Sequence, residues 1–112
     1  MNGPGRLTLL LLVALSACGP GLPTNGYCPD AGTGLTWANF GSRFMTSYCV
    51  GCHGGTRVEK KVDLTSEAGV ALNADPVIAQ AGIGTQMPPT GSPAPTPSER
   101  KQLAEWAGCG AP

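Results

Sequence analysis

The sequence predicts a small all-α domain of three to four short helices. Apolar residues recur at helical spacing over the stretch from Trp37 to Tyr48. A last helix is indicated near the C-terminus, where Thr96-Pro97-Ser98-Glu99 combines a capping box with proline at the first helical position. The βαβ pattern of an α/β protein is absent from the sequence. We therefore predict one helical domain over residues 35–112.

The first 17 residues are typical of a bacterial signal peptide. Arg6 precedes an apolar run from Leu7 to Leu15, which is too short to span a bilayer. Leu15-Ser16-Ala17-Cys18 resembles the lipobox of bacterial lipoproteins, and this resemblance implies cleavage before Cys18, acylation of Cys18 and a stable membrane anchor. The alternative is an ordinary secretory signal. Both alternatives predict export, and Gly19 after the cysteine favours the outer membrane by analogy.

Residues 18–34 are predicted to form a linker between the anchor and the domain. Half of residues 19–34 are Gly or Pro, a composition that neither forms a helix nor packs a core. The whole chain has seven acidic and seven basic residues and no basic stripe, so nucleic acid is not an expected partner. Arg57, Lys60 and Lys61 lie in a polar loop, which is either solvated or a docking patch for an acidic redox partner.

The segment Cys49-Val50-Gly51-Cys52-His53 is typical of a covalent attachment site for c-type haem. The two thiols are spaced so that each can add to one porphyrin vinyl group, and His53 then lies beneath the ring as a ligand of the iron. One alternative is a redox pair, which expects a surrounding βαβ pattern. A structural zinc site is the other, and it would need two further ligands.

The two remaining cysteines are predicted to form a disulfide. Once Cys18 is assigned to lipid and the motif cysteines to haem, Cys28 and Cys109 are left. Two leftover cysteines in an exported protein usually pair, so we predict a Cys28–Cys109 disulfide, with two free thiols as the alternative.

Shorter helical signals lie between the motif and the last helix. Thr65 or Ser66 can cap a helix from Glu67 to Leu72, and Asp75-Pro76 ends that segment or starts another turn. We predict core positions at Val77, Ile78 and Ala79. Val62 and Leu64 are predicted to lie against the edge of the porphyrin.

The chain resembles the small mono-haem cytochrome c family over roughly residues 36–108. In that family a glycine lies eight positions before the first haem cysteine and allows a close crossing with the C-terminal helix; Gly41 is at that position and Trp106 is its expected neighbour. Met45 stands where the family commonly has an aromatic residue. The carbonyl that usually accepts the N–H of the haem histidine has no evident equivalent here.

The sixth iron ligand is predicted to be Met87. In cytochromes c this ligand is typically a methionine in a proline-flanked loop, which Gln86-Met87-Pro88-Pro89 resembles. His53 is the sole histidine, thioether sulfur suits haem iron, and Met45 is expected in the core. The alternative is an exposed methionine beside a five-coordinate iron.

These residues together predict one covalent haem c and one-electron transfer with periplasmic redox proteins. With His53 and Met87 on the iron, no position is open for a small-molecule substrate, so an enzyme is not expected. One alternative is a haem sensor or peroxidase-like protein with a labile sixth ligand. Another is a non-haem surface lipoprotein stapled by disulfides, in which Cys49 and Cys52 are oxidised.

Overall fold

The computed structural model describes residues 27–54 and 62–112. Over these residues 54% of the chain is helical and no strand is present, which confirms the all-α prediction. The described residues form five α-helices, whereas three to four were predicted. Their bounds are α1 Ser42–Tyr48, α2 Val50–His53, α3 Glu67–Leu72, α4 Ala74–Val77 and α5 Pro97–Gly108, with π-helical segments over Trp37–Gly41 before α1 and Ile78–Gly82 after α4.

The first helical region begins where the sequence indicates. The Thr36 side chain accepts a hydrogen bond from the backbone N–H of Asn39, and the Asn39 side chain accepts one from the backbone N–H of Thr36. This reciprocal pair satisfies two donors that the start of a helix leaves free. The backbone continues through the π-helical segment, where Gly41 N–H donates to Thr36 C=O, directly into α1.

Gly41 lies where the first helical region crosses α5. A Cβ atom built at Gly41 would come within 2.6 Å of Cη2 of Trp106, so any larger residue would force the indole away. The Trp106 ring is fully buried and packs edge-on against Phe40, with ring centroids 5.7 Å apart. The predicted crossing of Gly41 and Trp106 is therefore present.

The middle of the chain forms two short helices with a turn between them. The Ser66 side chain accepts from the Gly69 N–H and caps α3, as predicted. Of the two alternatives for Asp75-Pro76, the second is present: it lies in the first turn of α4 and does not end α3. Val77 and Ile78 are buried as predicted, whereas the prediction for Ala79 was wrong: it is exposed. Ala79 lies in the π-helical segment, on its solvent-exposed side.

The last helix, α5, is the longest of the described helices and contributes four of the thirteen buried hydrophobic residues among the described residues. Its predicted capping box is present, with Thr96 and Glu99 bonded reciprocally and Pro97 in the first turn. The hydrogen bond from the Thr96 backbone N–H holds the pKa of Glu99 below its ordinary value. Its buried residues are Leu103, Ala104, Trp106, Ala107 and Gly108. These buried residues form the face of α5 that packs inward.

A disulfide joins Cys28 to Cys109, as predicted. The segment before the first helix is held nearby by two further contacts. The Thr33 hydroxyl donates to Glu105, and the Trp37 backbone N–H donates to the C=O of Pro112. Residues 28–37 therefore lie against the C-terminal end of α5.

Removing this bridge is expected to destabilise the domain strongly. The bonded cysteines are 81 positions apart, and loop-closure entropy predicts a loss of about 4–5 kcal/mol in the free energy of unfolding for the C28A/C109A variant. Urea denaturation of the full chain in oxidising buffer measures this loss. Reduction of the wild-type protein should produce a similar destabilisation, and an unchanged midpoint in both experiments would contradict the expectation.

The predicted signal peptide, the lipid site at Cys18 and the basic residues Arg57, Lys60 and Lys61 lie outside the described residues. Within the described ranges, no helix has the length and apolar character needed to cross a bilayer.

Candidate functional site

The five-residue motif forms a single helical turn at the end of the first helical region. Cys49 follows α1 and precedes α2, and its carbonyl accepts hydrogen bonds from the backbone N–H groups of Cys52 and His53 at 3.2 and 2.9 Å. A turn of this kind brings residues three and four positions apart to one side of the helix. The motif residues therefore lie beside the same cleft.

This cleft is a cavity of about 300 Å³ that contains four of the predicted site residues. Cys49, Cys52, His53 and Met87 all line it. Its remaining walls are mostly apolar and come from Phe44, Tyr48, Ala81, Pro88, Pro89 and Ser92. The structure thus brings the proline-flanked methionine to the cysteine–histidine motif, although the two are far apart in the sequence.

A second cavity of about 210 Å³ adjoins the same residues. Cys49, His53 and Met87 line it as well, and its other walls include Val62 and Leu64. These two residues, which were predicted to lie against a porphyrin edge, line this second cavity. Asp63 between them accepts hydrogen bonds from the hydroxyl and the backbone N–H of Thr65, which lower its pKa and fix the turn.

Met87 is held by its main chain on both sides. Its backbone N–H donates to the C=O of Gln80 at 2.9 Å, and its own C=O accepts from Arg100 at 2.8 Å. The side chain is 37% exposed, whereas Met45 is fully buried in the core as predicted. Among the described methionines, Met87 is accordingly the one available to a group bound in the cleft.

His53 carries a polar atom without a protein partner. Its Nδ1 atom is buried and makes no hydrogen bond within residues 27–54 and 62–112. Leaving a buried ring nitrogen unbonded costs on the order of 1–3 kcal/mol. Ligation of a metal satisfies one imidazole nitrogen directly and fixes the orientation of the other. The residues of the cleft therefore fit a bound metal-containing group with a large apolar surface.

The two motif cysteines are free thiols in different surroundings. Cys49 is partly buried and Cys52 is exposed. Burial raises the pKa of the Cys49 thiol to about 12, so it stays protonated at neutral pH. Thiol–disulfide exchange needs a thiolate nucleophile, and burial disfavours the thiolate of Cys49. A zinc site that uses Cys28 and Cys109 is ruled out by their disulfide, and the described residues contain no group of three or more His, Cys, Asp or Glu side chains placed to hold a metal.

Two residues near the cleft were not identified from the sequence. Arg100 on α5 reaches the loop that carries Met87, and Tyr48 donates its hydroxyl to Glu99 at 3.0 Å. That hydrogen bond raises the pKa of Tyr48. Helical periodicity places Tyr48 on the apolar face but does not show its hydrogen-bond partner. Arg100 lies outside the buried face of α5, so periodicity does not distinguish it from a solvated residue. Both contacts depend on tertiary packing.

Comparison of the chain with protein-family models, with curated proteins and with solved structures finds no match.

Proposed function

We propose that this protein is a membrane-tethered c-type cytochrome that transfers single electrons in the bacterial periplasm. The observation that carries the proposal is the convergence of Cys49, Cys52, His53 and Met87 on one cavity. Two thiols, one imidazole and one thioether are the side chains needed to attach a haem covalently and to ligate its iron on both sides.

Each of these residues has a distinct role in the proposal. Cys49 and Cys52 would hold the porphyrin through two thioether bonds. His53 would bind the iron from one side, and its buried, unpartnered ring nitrogen is in keeping with that role. Met87 would bind from the other side, with its position set by hydrogen bonds to both its N–H and its C=O.

The cleft walls favour electron transfer over substrate chemistry. When bound, haem supplies the one-electron couple of its iron. Phe44, Ala81, Pro88 and Pro89 contribute apolar walls that would surround the group, and a methionine ligand together with a low-dielectric shell would favour its reduced state. With His53 and Met87 both binding the iron, no coordination position would remain for a substrate. Periplasmic redox proteins are the proposed partners.

The lipid anchor and the envelope location are parts of the same proposal. They are supported by the lipobox-like sequence that ends at Cys18 and by the Cys28–Cys109 bridge, which is typical of an oxidising compartment. Acylation of Cys18 would tether the domain to the periplasmic side of a membrane, with the outer membrane favoured by Gly19.

Visible spectroscopy of the full chain tests the proposal. The protein is made in a bacterium with haem-attachment machinery, purified from membranes and examined in its oxidised and reduced forms. We expect covalent haem, a six-coordinate low-spin spectrum in both states and no rapid binding of carbon monoxide. Rapid binding of carbon monoxide would instead favour the sensor or peroxidase-like function, and a colourless protein would favour the non-haem lipoprotein.

A further inference from the structure

Arg100 makes an unusual set of contacts with the loop that carries Met87. A single guanidinium nitrogen, Nη1, donates to three backbone carbonyls: those of Ala81 at 2.7 Å, Gly84 at 3.3 Å and Met87 at 2.8 Å. Arg100 lies in the first half of α5 and is partly buried. One side chain on the longest helix thus spans the path from the end of the preceding helical segment to Met87.

The three carbonyls explain why a cation is suited to this position. Ala81 lies at the end of the π-helical segment Ile78–Gly82 and Gly84 follows two residues after it, where carbonyl groups have no partner further along the helix. A positive charge at the C-terminal end of a helix is also favourable because the negative ends of the carbonyl dipoles point toward it. Arg100 therefore satisfies this helix end and ties the Met87 peptide to it.

Met87 has little else to define its place. The residues from 83 to 96 form no helix, and four of them line the cleft: Met87, Pro88, Pro89 and Ser92. The Met87 N–H is bonded to Gln80, which belongs to the same helical segment whose end Arg100 binds. Without Arg100, the C=O of Met87 would lose its hydrogen bond to α5, and so would the C=O of Gly84.

We propose that Arg100 is a positioning residue that holds the Met87 thioether at the iron and so sets how readily other molecules displace it. This inference rests on the proposed function, because it takes Met87 as an axial ligand. Arg100 acts through the main chain of Met87 and does not itself bind the cofactor.

Competition by imidazole at the sixth coordination position provides the test. We compare the full, haem-loaded R100Q protein with K101Q, which loses the same charge from the exposed neighbouring position on α5. The ferric proteins are titrated with imidazole and followed by visible absorption. R100Q is expected to bind imidazole about tenfold more tightly than wild type, which corresponds to loss of one hydrogen bond from a charged donor. K101Q is expected to match wild type, and imidazole is neutral, so loss of charge has little direct effect on its binding.

A purely structural role for Arg100 predicts a different result. R100Q would then unfold at a lower urea concentration, yet its folded form would bind imidazole with wild-type affinity, and the inference would be wrong. If R100Q yields no folded holoprotein, R100K carries the test, since it keeps the charge but its ammonium lies one bond closer to the backbone than Nη1 and falls short of the three carbonyls. Wild-type imidazole affinity in R100K would then overturn the inference.

The two proposals fail in distinguishable ways. A wild-type protein without covalent haem, or with a five-coordinate iron, contradicts the proposed function before any variant is made. A wild-type protein with methionine on the iron, together with unchanged imidazole binding in the Arg100 variants, leaves the function in place and removes only the role of Arg100.

Discussion

Replacing both motif cysteines with alanine is expected to abolish covalent haem attachment. In the C49A/C52A variant no thiol remains beside the cleft, because the other described cysteines are joined in the Cys28–Cys109 disulfide. His53 and Met87 would still be present, but ligation without thioether bonds does not survive denaturation. Haem staining after a denaturing gel, which is strong for wild type, should fall to background.

The C28A/C109A variant is the matched control for this experiment. It also loses two cysteines, but neither of them lines the cleft. Covalent haem should therefore persist in it even though the folded state is less stable. Equal haem staining in C49A/C52A and wild type would contradict the assignment of the motif. Loss of staining in C28A/C109A alone would mean that Cys28 and Cys109, and not the motif cysteines, attach the haem.

Replacing Met87 with alanine is expected to open the sixth coordination position. The thioether that faces the cleft is removed, and the described residues offer no second methionine there, since Met45 is fully buried in the core. The six-coordinate spectrum should become five-coordinate or water-bound, and reduced protein should bind carbon monoxide rapidly. The midpoint potential should fall by on the order of 100 mV, since the axial ligand is a major determinant of haem potential.

The M45L variant controls for loss of a methionine elsewhere in the fold. Leucine has a similar volume, so a fully buried Met45 should accept it at a cost of under about 1.5 kcal/mol and with no change in the spectrum. An M87A protein whose spectrum and carbon monoxide binding match those of wild type would refute the ligand assignment. A spectral change in M45L and not in M87A would mean that Met45, and not Met87, is the iron ligand.

The disulfide and the cleft contacts lie at opposite ends of α5. Arg100 is in the first half of the helix and Cys109 caps its end, so the two are separated by about 13 Å along the helix axis. The chain that would carry the lipid therefore joins the domain at the Cys28 end, away from Met87 and Arg100. In the proposed function this arrangement leaves the cleft free to meet a redox partner while the other end is tethered.

The sequence by itself determined the features that depend on neighbouring residues. The capping box at Thr96 begins α5 as predicted, and of the two caps predicted for α3, Thr65 or Ser66, it is Ser66 that begins the helix. A cap needs only residues within the first turn. The motif predicts its chemistry for the same reason, since its thiols and imidazole are adjacent in the chain. The Cys28–Cys109 pairing followed from counting cysteines, without knowledge of the path between them.

Only the tertiary structure decided the contacts that no motif or family resemblance indicates. It showed Ala79 exposed where a core position was predicted, and it revealed that Arg100 binds the loop that carries Met87. Helical periodicity fixes the face on which a residue lies, but its partner depends on how segments cross. The Gly41–Trp106 crossing and the hydrogen bonds of the 81–87 carbonyls set that packing, and neither is encoded within a single turn of the chain.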